Sequence, residues 1–396
     1  MLISSYSHFG GLHTDSAVLC NTFRHAGVLA PHSRRPYTES MIAGLGGGIG
    51  FSYFVYEQRA EPARLELSSR FQGRRQDFID GVLKRSGVRF VVSHTSSPRR
   101  AQEALLTTLA QGRAAICTVD PPLLPHRGLP VRLRGRTSQL VSVVGTDGDD
   151  VLIDDLCQAP IRLSAEQLSA ARQSNRRARQ RMVVVAPPLV SVDLASAVRE
   201  ALRSTCRLFL EPPVSNVGLA GLEKWAHLLT NQQNRRGWPR LFASPRALFA
   251  ALHHTYSHLR HERAAPGAMR PMFADFLEEA ADILSRPRLI HVASQYRRSA
   301  ELWGQLTDLA LPVEDAILWR CRAISERRHV LLRSGGATAT TEMQQLWREL
   351  EGLGRRFSPA WSEADRLFRF RAMARLLRSI RAVELSAITV LRRSVS

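Results

Sequence analysis

The chain has 396 residues, of which 44% are hydrophobic and 23% are charged, the balance of an ordinary globular protein with enough apolar material for two or three domains. Its formal net charge is +20, but Lys84 and Lys224 are the only lysines, so we interpret the excess as a bias towards arginine and not as a phosphate-binding face. No zinc-finger spacing or RNA-recognition aromatic pattern accompanies the arginines. Nucleic-acid binding is therefore a weak hypothesis.

Membrane insertion, secretion and a disulfide framework are also disfavoured. No run of 18 apolar residues is present, and the N-terminal MLISSYSHFGG lacks the basic and apolar regions of a signal peptide. The cysteines are scattered without a CxxC pair, which argues against disulfides and against zinc; they are Cys20, Cys117, Cys157, Cys206 and Cys321. We expect a cytoplasmic protein that does not span a membrane.

Residues 1–188 predict a domain of mixed α and β structure. FGGLHTDSAVLCN (9–21) predicts a Gly-Gly turn that leads into a helix over 15–27, with Gly27 as its stop. Two strands, one hairpin and one helix are predicted further on, from AAICTVD (114–120), RMVVVAPP (181–188), LVSVVGTDGDDVLIDD (140–155) and LSAEQLSAAR (163–172).

After Pro188 the sequence changes to helical periodicity. The apolar stripe of MRPMFADFLEEAADIL (269–284) is typical of an amphipathic helix. We predict an all-helical domain over 189–333 and place its boundary with the first domain near 186–191. Residues 334–396 are predicted to form a linker, beginning with SGGATATT, and a C-terminal helical extension.

Two patterns resemble ligand sites only weakly. GLGGGIGF (44–51) lacks the lysine of a P-loop and lies between a predicted helix and a predicted strand, the reverse of a dinucleotide fingerprint. We interpret it as close backbone packing or as the wall of a substrate cleft. His253, His254, His258 and His261 have helical spacing, and His254 with His258, or His258 with His261, could bind a metal on one face, but without an acidic third ligand they predict an exposed polar face. We therefore expect neither a metal nor a cofactor.

The start of the first helix is where a nucleophile would be activated, because the helix dipole and free N–H groups stabilise a thiolate and an oxyanion. Residue 14, at this position, is threonine. We favour Thr14 or Asp15 as an N-cap over Thr14 as a nucleophile. Cys20 lies six residues later, on another side of the helix, and is predicted to be a buried structural residue.

Four stretches occur in an order that resembles the N-terminal domain of the butirosin-biosynthesis protein H family: FGGLHTDSAVLCNTFRHAG (9–27), ESMIAGLGGGIGFSYFVYE (39–57), AICTVDPPLLPHR (115–127) and LVSVVGTDGDDVLIDD (140–155). The helical half is similar to the domain that usually follows, so the resemblance covers about residues 8–330. It implies an α+β fold of the papain-like cysteine-peptidase type followed by an all-α domain. It also implies acyl transfer from an acyl-carrier-protein thioester to an aminoglycoside amine.

The resemblance further implies a cysteine, a histidine and an aspartate as catalytic residues. The cysteine position falls on Thr14 and the histidine position on Gln139, so both are substituted. The aspartate position falls on Asp155, or on Asp154 if the preceding turn is one residue shorter. The residues expected to line the cleft are His13, Gly46, Gly47, Gly48 and Asp120.

Three functions follow as hypotheses. The first is a member of this family in antibiotic biosynthesis that has lost its cysteine chemistry and binds an acyl thioester, amine or peptide in the cleft. The second is an active acyltransferase or amidase with an unrecognised nucleophile, and the third is the nucleic-acid binder. An acyl carrier protein, whose acidic surface suits the basic chain, or another biosynthetic enzyme is the expected partner. Catalytic activity and oligomeric state stay open.

Overall fold

The computed structural model describes residues 2–3, 6–58, 61–70, 75–186, 192–261 and 265–395. In these ranges the strands are β1 Ser52–Gln58, β2 Glu61–Ser68, β3 Arg89–Ser93, β4 Ala115–Val119, β5 Gln139–Asp147, β6 Asp150–Asp154, β7 Ile161–Ser164 and β8 Met182–Ala186. The α-helices are α1 Thr14–His25, α2 Glu39–Leu45, α3 Arg75–Arg85, α4 Pro98–Ala110, α5 Ala165–Ser174, α6 Leu194–Leu210, α7 Gly218–Thr230, α8 Trp238–Leu241, α9 Pro245–Arg260, α10 Arg270–Leu284, α11 Arg288–Ala310, α12 Ala316–Ser334, α13 Thr340–Arg356 and α14 Glu363–Val395.

The chain is thus mixed α/β in its N-terminal part and helical in its C-terminal part, as predicted. The strands and the hairpin predicted from the sequence are found as β4, β5, β6 and β8. None of the described helices is long and apolar enough to cross a lipid bilayer.

Two compact units are formed, each from three segments of the chain. The first unit contains Met1–Ile42, Ser86–Val192 and Glu326–Glu349, and the second contains the segments Ala43–Arg85, Asp193–Ser325 and Leu350–Ser396. The helices α2, α12 and α13 therefore contribute residues to both. The predicted domain limits at 188 and 333 stay a prediction, and residues 187–191 around the first limit lie outside the described ranges.

The first unit is built on an antiparallel sheet of six strands in the order β3-β8-β4-β5-β6-β7. All five residues of β4 and the first seven of β5 are buried, as their continuous apolar runs predict. Asp147 pairs with Asp150 across the β5–β6 turn, where Gly148 adopts a positive φ of 61° that favours glycine. Gln139 begins β5 and Asp155 directly follows β6, so this hairpin determines where both residues lie.

Helix α1 packs on β5 and is buried along its middle, from Asp15 to Phe23. Its buried set includes the polar residues Asp15, Ser16, Asn21 and Thr22. Buried polar groups require hydrogen-bond partners, so this helix organises a polar network inside the first unit.

The segment Glu326–Glu349 lies within the helical part of the sequence but belongs to the first unit. The backbone N–H of Gln158 donates to the Arg333 carbonyl over 2.8 Å. The Arg328 guanidinium donates to the carbonyl oxygens of Arg127, over 3.3 Å, and Met343, over 3.0 Å. These bonds attach the segment to the loops that carry Arg127 and Asp155.

The second unit has the β1–β2 hairpin and a helical core. Its centre contains a buried ion pair, in which the Arg270 guanidinium donates to both carboxylate oxygens of Glu384 over 2.7 and 2.9 Å. Ser299 and Trp303 also donate to Glu384, over 2.6 and 3.0 Å. Both charged side chains are fully buried, and the hydrogen bonds to Glu384 join α10, α11 and α14.

Candidate functional site

The predicted Gly-Gly turn leads directly into α1. Gly10 and Gly11 have positive φ angles of 80° and 152°, and a Cβ atom on Gly11 would lie 2.3 Å from the Cβ of Ala17. His13 is the N-cap in an extended conformation, and Thr14 is the first helical residue. The prediction that Thr14 or Asp15 is the N-cap is therefore wrong, because the cap lies one residue earlier. Thr14 is partly buried at the helix N-terminus.

The N-terminus of α1 holds a carboxylate from the protein itself. Glu39 accepts hydrogen bonds from the backbone N–H groups of Leu12, over 2.8 Å, and His13, over 2.9 Å, and from the Ser16 hydroxyl over 2.8 Å. Burial raises the pKa of the Glu39 carboxyl, and these hydrogen bonds oppose the shift. Glu39, at the start of α2, therefore caps the N-terminus of α1. A carboxylate at this end of a helix also interacts favourably with the helix dipole.

Gln139 contacts Asp155, one of the two positions predicted for the family aspartate. Its side-chain Nε2 donates to Oδ2 of Asp155 over 3.0 Å, and both residues are buried. Asp155 rather than Asp154 therefore faces residue 139. The backbone next to Gln139 is tied to the helix start, because the Leu140 N–H donates to the Asp15 carboxylate over 3.3 Å.

Two basic residues share the same carboxylate. His126 Nε2 lies 2.8 Å from Asp155 Oδ2, and the Arg127 guanidinium binds both oxygens of Asp155. Burial alone would raise the pKa of Asp155, but the charge of Arg127 and the bond from His126 hold it well below its usual range. Burial lowers the pKa of His126, and the hydrogen bond to Asp155 and the charge of Asp155 oppose that shift. Asp155 is thus an anion whose charge is balanced by arginine.

Asp154 occupies a different environment beneath α1. It accepts hydrogen bonds from the Tyr6 hydroxyl over 2.6 Å and from the Asn21 amide over 3.0 Å. Burial raises the pKa of Asp154 to about 7, against those hydrogen bonds and with the help of the Asp155 charge. It is a structural carboxyl in the polar network of α1.

The raised pKa of Asp154 makes stability depend on pH. The folded state holds a proton that the unfolded chain releases near the ordinary value of 3.8, so the free energy of unfolding should fall as pH rises towards 7. Between about pH 5 and about pH 8 this group should contribute a loss of roughly 2–3 kcal/mol. The free energy of unfolding of Asp154→Asn, measured with urea at a series of pH values, should lack this part of the pH dependence. The exposed Asp149→Asn serves as control and should keep the wild-type slope; equal slopes in wild type and Asp154→Asn would contradict the assignment.

The other predicted cleft residues lie at two further places. Asp120 directly follows β4, is buried, and accepts hydrogen bonds from the Gly135 N–H and the Ser174 hydroxyl, so it holds the loop before β5. Gly46, Gly47 and Gly48 belong to the second unit and are all buried. A Cβ atom on Gly46 would lie 2.0 Å from the Phe78 ring, so the close-packing interpretation is confirmed. Their membership of a ligand cleft stays a prediction.

The remaining reactive side chains have structural surroundings. Cys20 is buried, as predicted, and its thiol donates to the Tyr37 carbonyl over 3.3 Å. The prediction of an exposed histidine face is wrong, because His253 and His258 are buried on α9, where this helix packs on β2. In the described part of the chain, no three His, Cys, Asp or Glu side chains are placed to hold a metal ion.

The start of α1, the β5–β6 hairpin and the paired Asp155 thus occur together in the first unit. Residues 13–156 match the family described as Butirosin biosynthesis protein H, N-terminal. Residues 166–333 match the family described as Domain of unknown function (DUF4872). The chain thus contains a segment that matches the butirosin biosynthesis protein H, N-terminal, family, followed by a segment that matches the second domain. No curated protein sequence matches the chain.

Arg127 and Glu39 are the site residues that sequence reasoning missed. Arg127 follows His126 in a stretch already associated with the family, and adjacent basic residues near an expected buried aspartate were the available signal. Glu39 begins α2, 27 residues from Leu12 along the chain, and nothing in the local pattern indicates that it reaches back to α1.

Proposed function

We propose that this protein is a member of the family that binds its ligand at the start of α1 without cysteine chemistry. The observation that carries the proposal is the hydrogen bond from the Gln139 amide to Asp155, at the place where the family pattern has a histidine. An amide side chain neither accepts a proton from a nucleophile nor returns it to a leaving group. Thr14 therefore has no base at residue 139 to activate its hydroxyl.

The charge on Asp155 supports the same proposal. In a nucleophile–histidine–aspartate arrangement the aspartate stabilises the imidazolium that forms during the reaction. Here the Arg127 guanidinium binds both oxygens of Asp155 and supplies a positive charge beside them. The carboxylate is therefore already neutralised by a permanent cation. A papain-like fold, a cytoplasmic location and an acyl carrier protein or biosynthetic enzyme as partner belong to this proposal as well.

A second candidate is supported by His126. Its Nε2 lies 2.8 Å from Asp155, so a histidine does pair with the family aspartate, although not from β5. Such a pair favours an active acyltransferase or amidase in which the base has moved. The imidazole is 3% exposed, which makes this candidate the weaker one.

Mass spectrometry of the intact protein distinguishes the two candidates. The protein is incubated with short-chain acyl-pantetheine and with acyl-carrier-protein thioesters. We expect no acyl adduct on wild type, Thr14→Cys or Gln139→His, and an adduct on Thr14→Cys/Gln139→His, where nucleophile and base are both restored. An adduct on wild type that Thr14→Ala or Cys20→Ala removes would refute the proposal and identify the nucleophile. Loss of such an adduct in His126→Gln would identify the base.

A further inference from the structure

Asp155 fixes which end of the Gln139 amide is presented to a ligand. A carboxylate only accepts hydrogen bonds, so the amide group that faces Asp155 Oδ2 at 3.0 Å is the NH₂ end. The reversed amide would place two acceptor oxygens against each other in a buried site, which is strongly unfavourable. Oε1 therefore lies at the end of the amide directed away from Asp155.

His126 is oriented by the same oxygen. Its Nε2 must carry the proton that it donates to Asp155 Oδ2, so the neutral ring has a bare lone pair on Nδ1. In the described part of the chain this buried Nδ1 has no hydrogen-bond partner. A second hydrogen-bond acceptor is thus directed away from Asp155, and a buried acceptor without a donor is costly.

Arg127 uses its Nε and Nη2 groups on the two oxygens of Asp155. Thr14 can donate or accept through its hydroxyl. Gln139 Oε1, by contrast, is a fixed acceptor, and a ligand group that forms a hydrogen bond with it must bring a donor.

We propose that Gln139 determines specificity in this site, and that Oε1 of its amide selects ligands that bring an N–H donor, an amine or amide nitrogen, over thioesters. The inference rests on the proposed function, because it requires a ligand beside Thr14. On this proposal the site binds the amine that accepts an acyl group, or the amide that acyl transfer produces. A thioester offers only a carbonyl oxygen and a sulfur at the corresponding atoms, and neither donates to Gln139.

Two matched probes test the proposal: S-butanoyl-N-acetylcysteamine and the amide analogue in which N–H replaces the sulfur. Both are titrated into the full chain by calorimetry. We expect the amide to bind about tenfold more tightly to wild type, corresponding to ~1.4 kcal/mol. Gln139→Met should abolish that preference by weakening the amide alone. Gln139→His should retain it, because Asp155 would take one ring N–H and leave the other nitrogen as an acceptor.

The controls separate a specific role from a structural one. Gln173→Met makes the same substitution at an exposed glutamine and should keep the wild-type ratio of the two affinities. A general loss of folding in Gln139→Met would weaken both probes equally, whereas the proposal predicts a change in their ratio. Equal affinities of the two probes for wild type would overturn the inference and leave the proposed function standing. Binding of neither probe would count against the proposed ligand site itself.

Discussion

Replacing Glu384 by alanine should lower the free energy of unfolding by about 3–5 kcal/mol, because it leaves the Arg270 guanidinium buried without a counter-charge. Both side chains of this pair are fully buried. The substitution also removes the acceptor of Ser299 and Trp303, so two more buried donors lose their partner. Urea unfolding followed by tryptophan fluorescence measures the change.

A matched pair of variants shows whether the loss comes from the uncompensated charge. Arg270→Met with Glu384→Leu removes both charges and should cost less than Glu384→Ala alone, since apolar replacement of a buried ion pair is often close to neutral. Arg297→Ala on α11 removes an exposed arginine paired with Asp275 and Glu278, and should cost less than about 1 kcal/mol. A double variant as unstable as the sum of its parts would contradict this account.

Asp155→Ala should also destabilise the protein by about 3–5 kcal/mol. The reason again is the cation left behind, here the partly buried Arg127, together with the buried donors of His126 and Gln139. The control is Arg162→Ala, which removes an exposed arginine paired with Asp147 and Asp150 on the same hairpin and should leave the unfolding free energy nearly unchanged.

The pH dependence gives this prediction a second readout. The folded-state pKa of Asp155 is depressed, so its contribution is present above the unfolded pKa and is lost as pH falls through the folded pKa. The stability difference between wild type and Asp155→Ala should therefore be constant above about pH 5 and shrink in stronger acid. A difference that grows in acid would show that Asp155 does not act as a buried anion.

Local patterns were sufficient for the elements that frame the site. Continuous apolar runs identified β4, β5 and β8, and the Gly/Asp turn identified the β5–β6 hairpin. The helix over 15–27 was confirmed as α1, Thr14–His25, because its glycine stop and Gly-Gly entry are signals within one turn of its ends. Helices and strands whose signals lie close together along the chain can thus be predicted from the sequence.

The partners of the site residues were not readable in the same way. The pairing of residue 139 with an aspartate was expected only from a family resemblance. The choice between Asp154 and Asp155 depends on the register of β6 against β5. Arg270 and Glu384 are 114 positions apart, and neither sits in a pattern that marks it as buried. Long-range polar contacts depend on the packing of whole elements, so single-sequence reasoning does not reach them.

The segment Glu326–Glu349 has a consequence for how the protein is made. A ribosome releases residues 1–42 and 86–192 early, but the first unit lacks its third segment until residue 349 has been synthesised. At about 5–20 residues per second, that delay is on the order of tens of seconds. During it, the Gln158 N–H and the Arg127 carbonyl have only water in place of the groups that bind them in the finished fold. Translation pauses between residues 192 and 349 should therefore prolong the time for which the first unit is incomplete and increase aggregation of this protein.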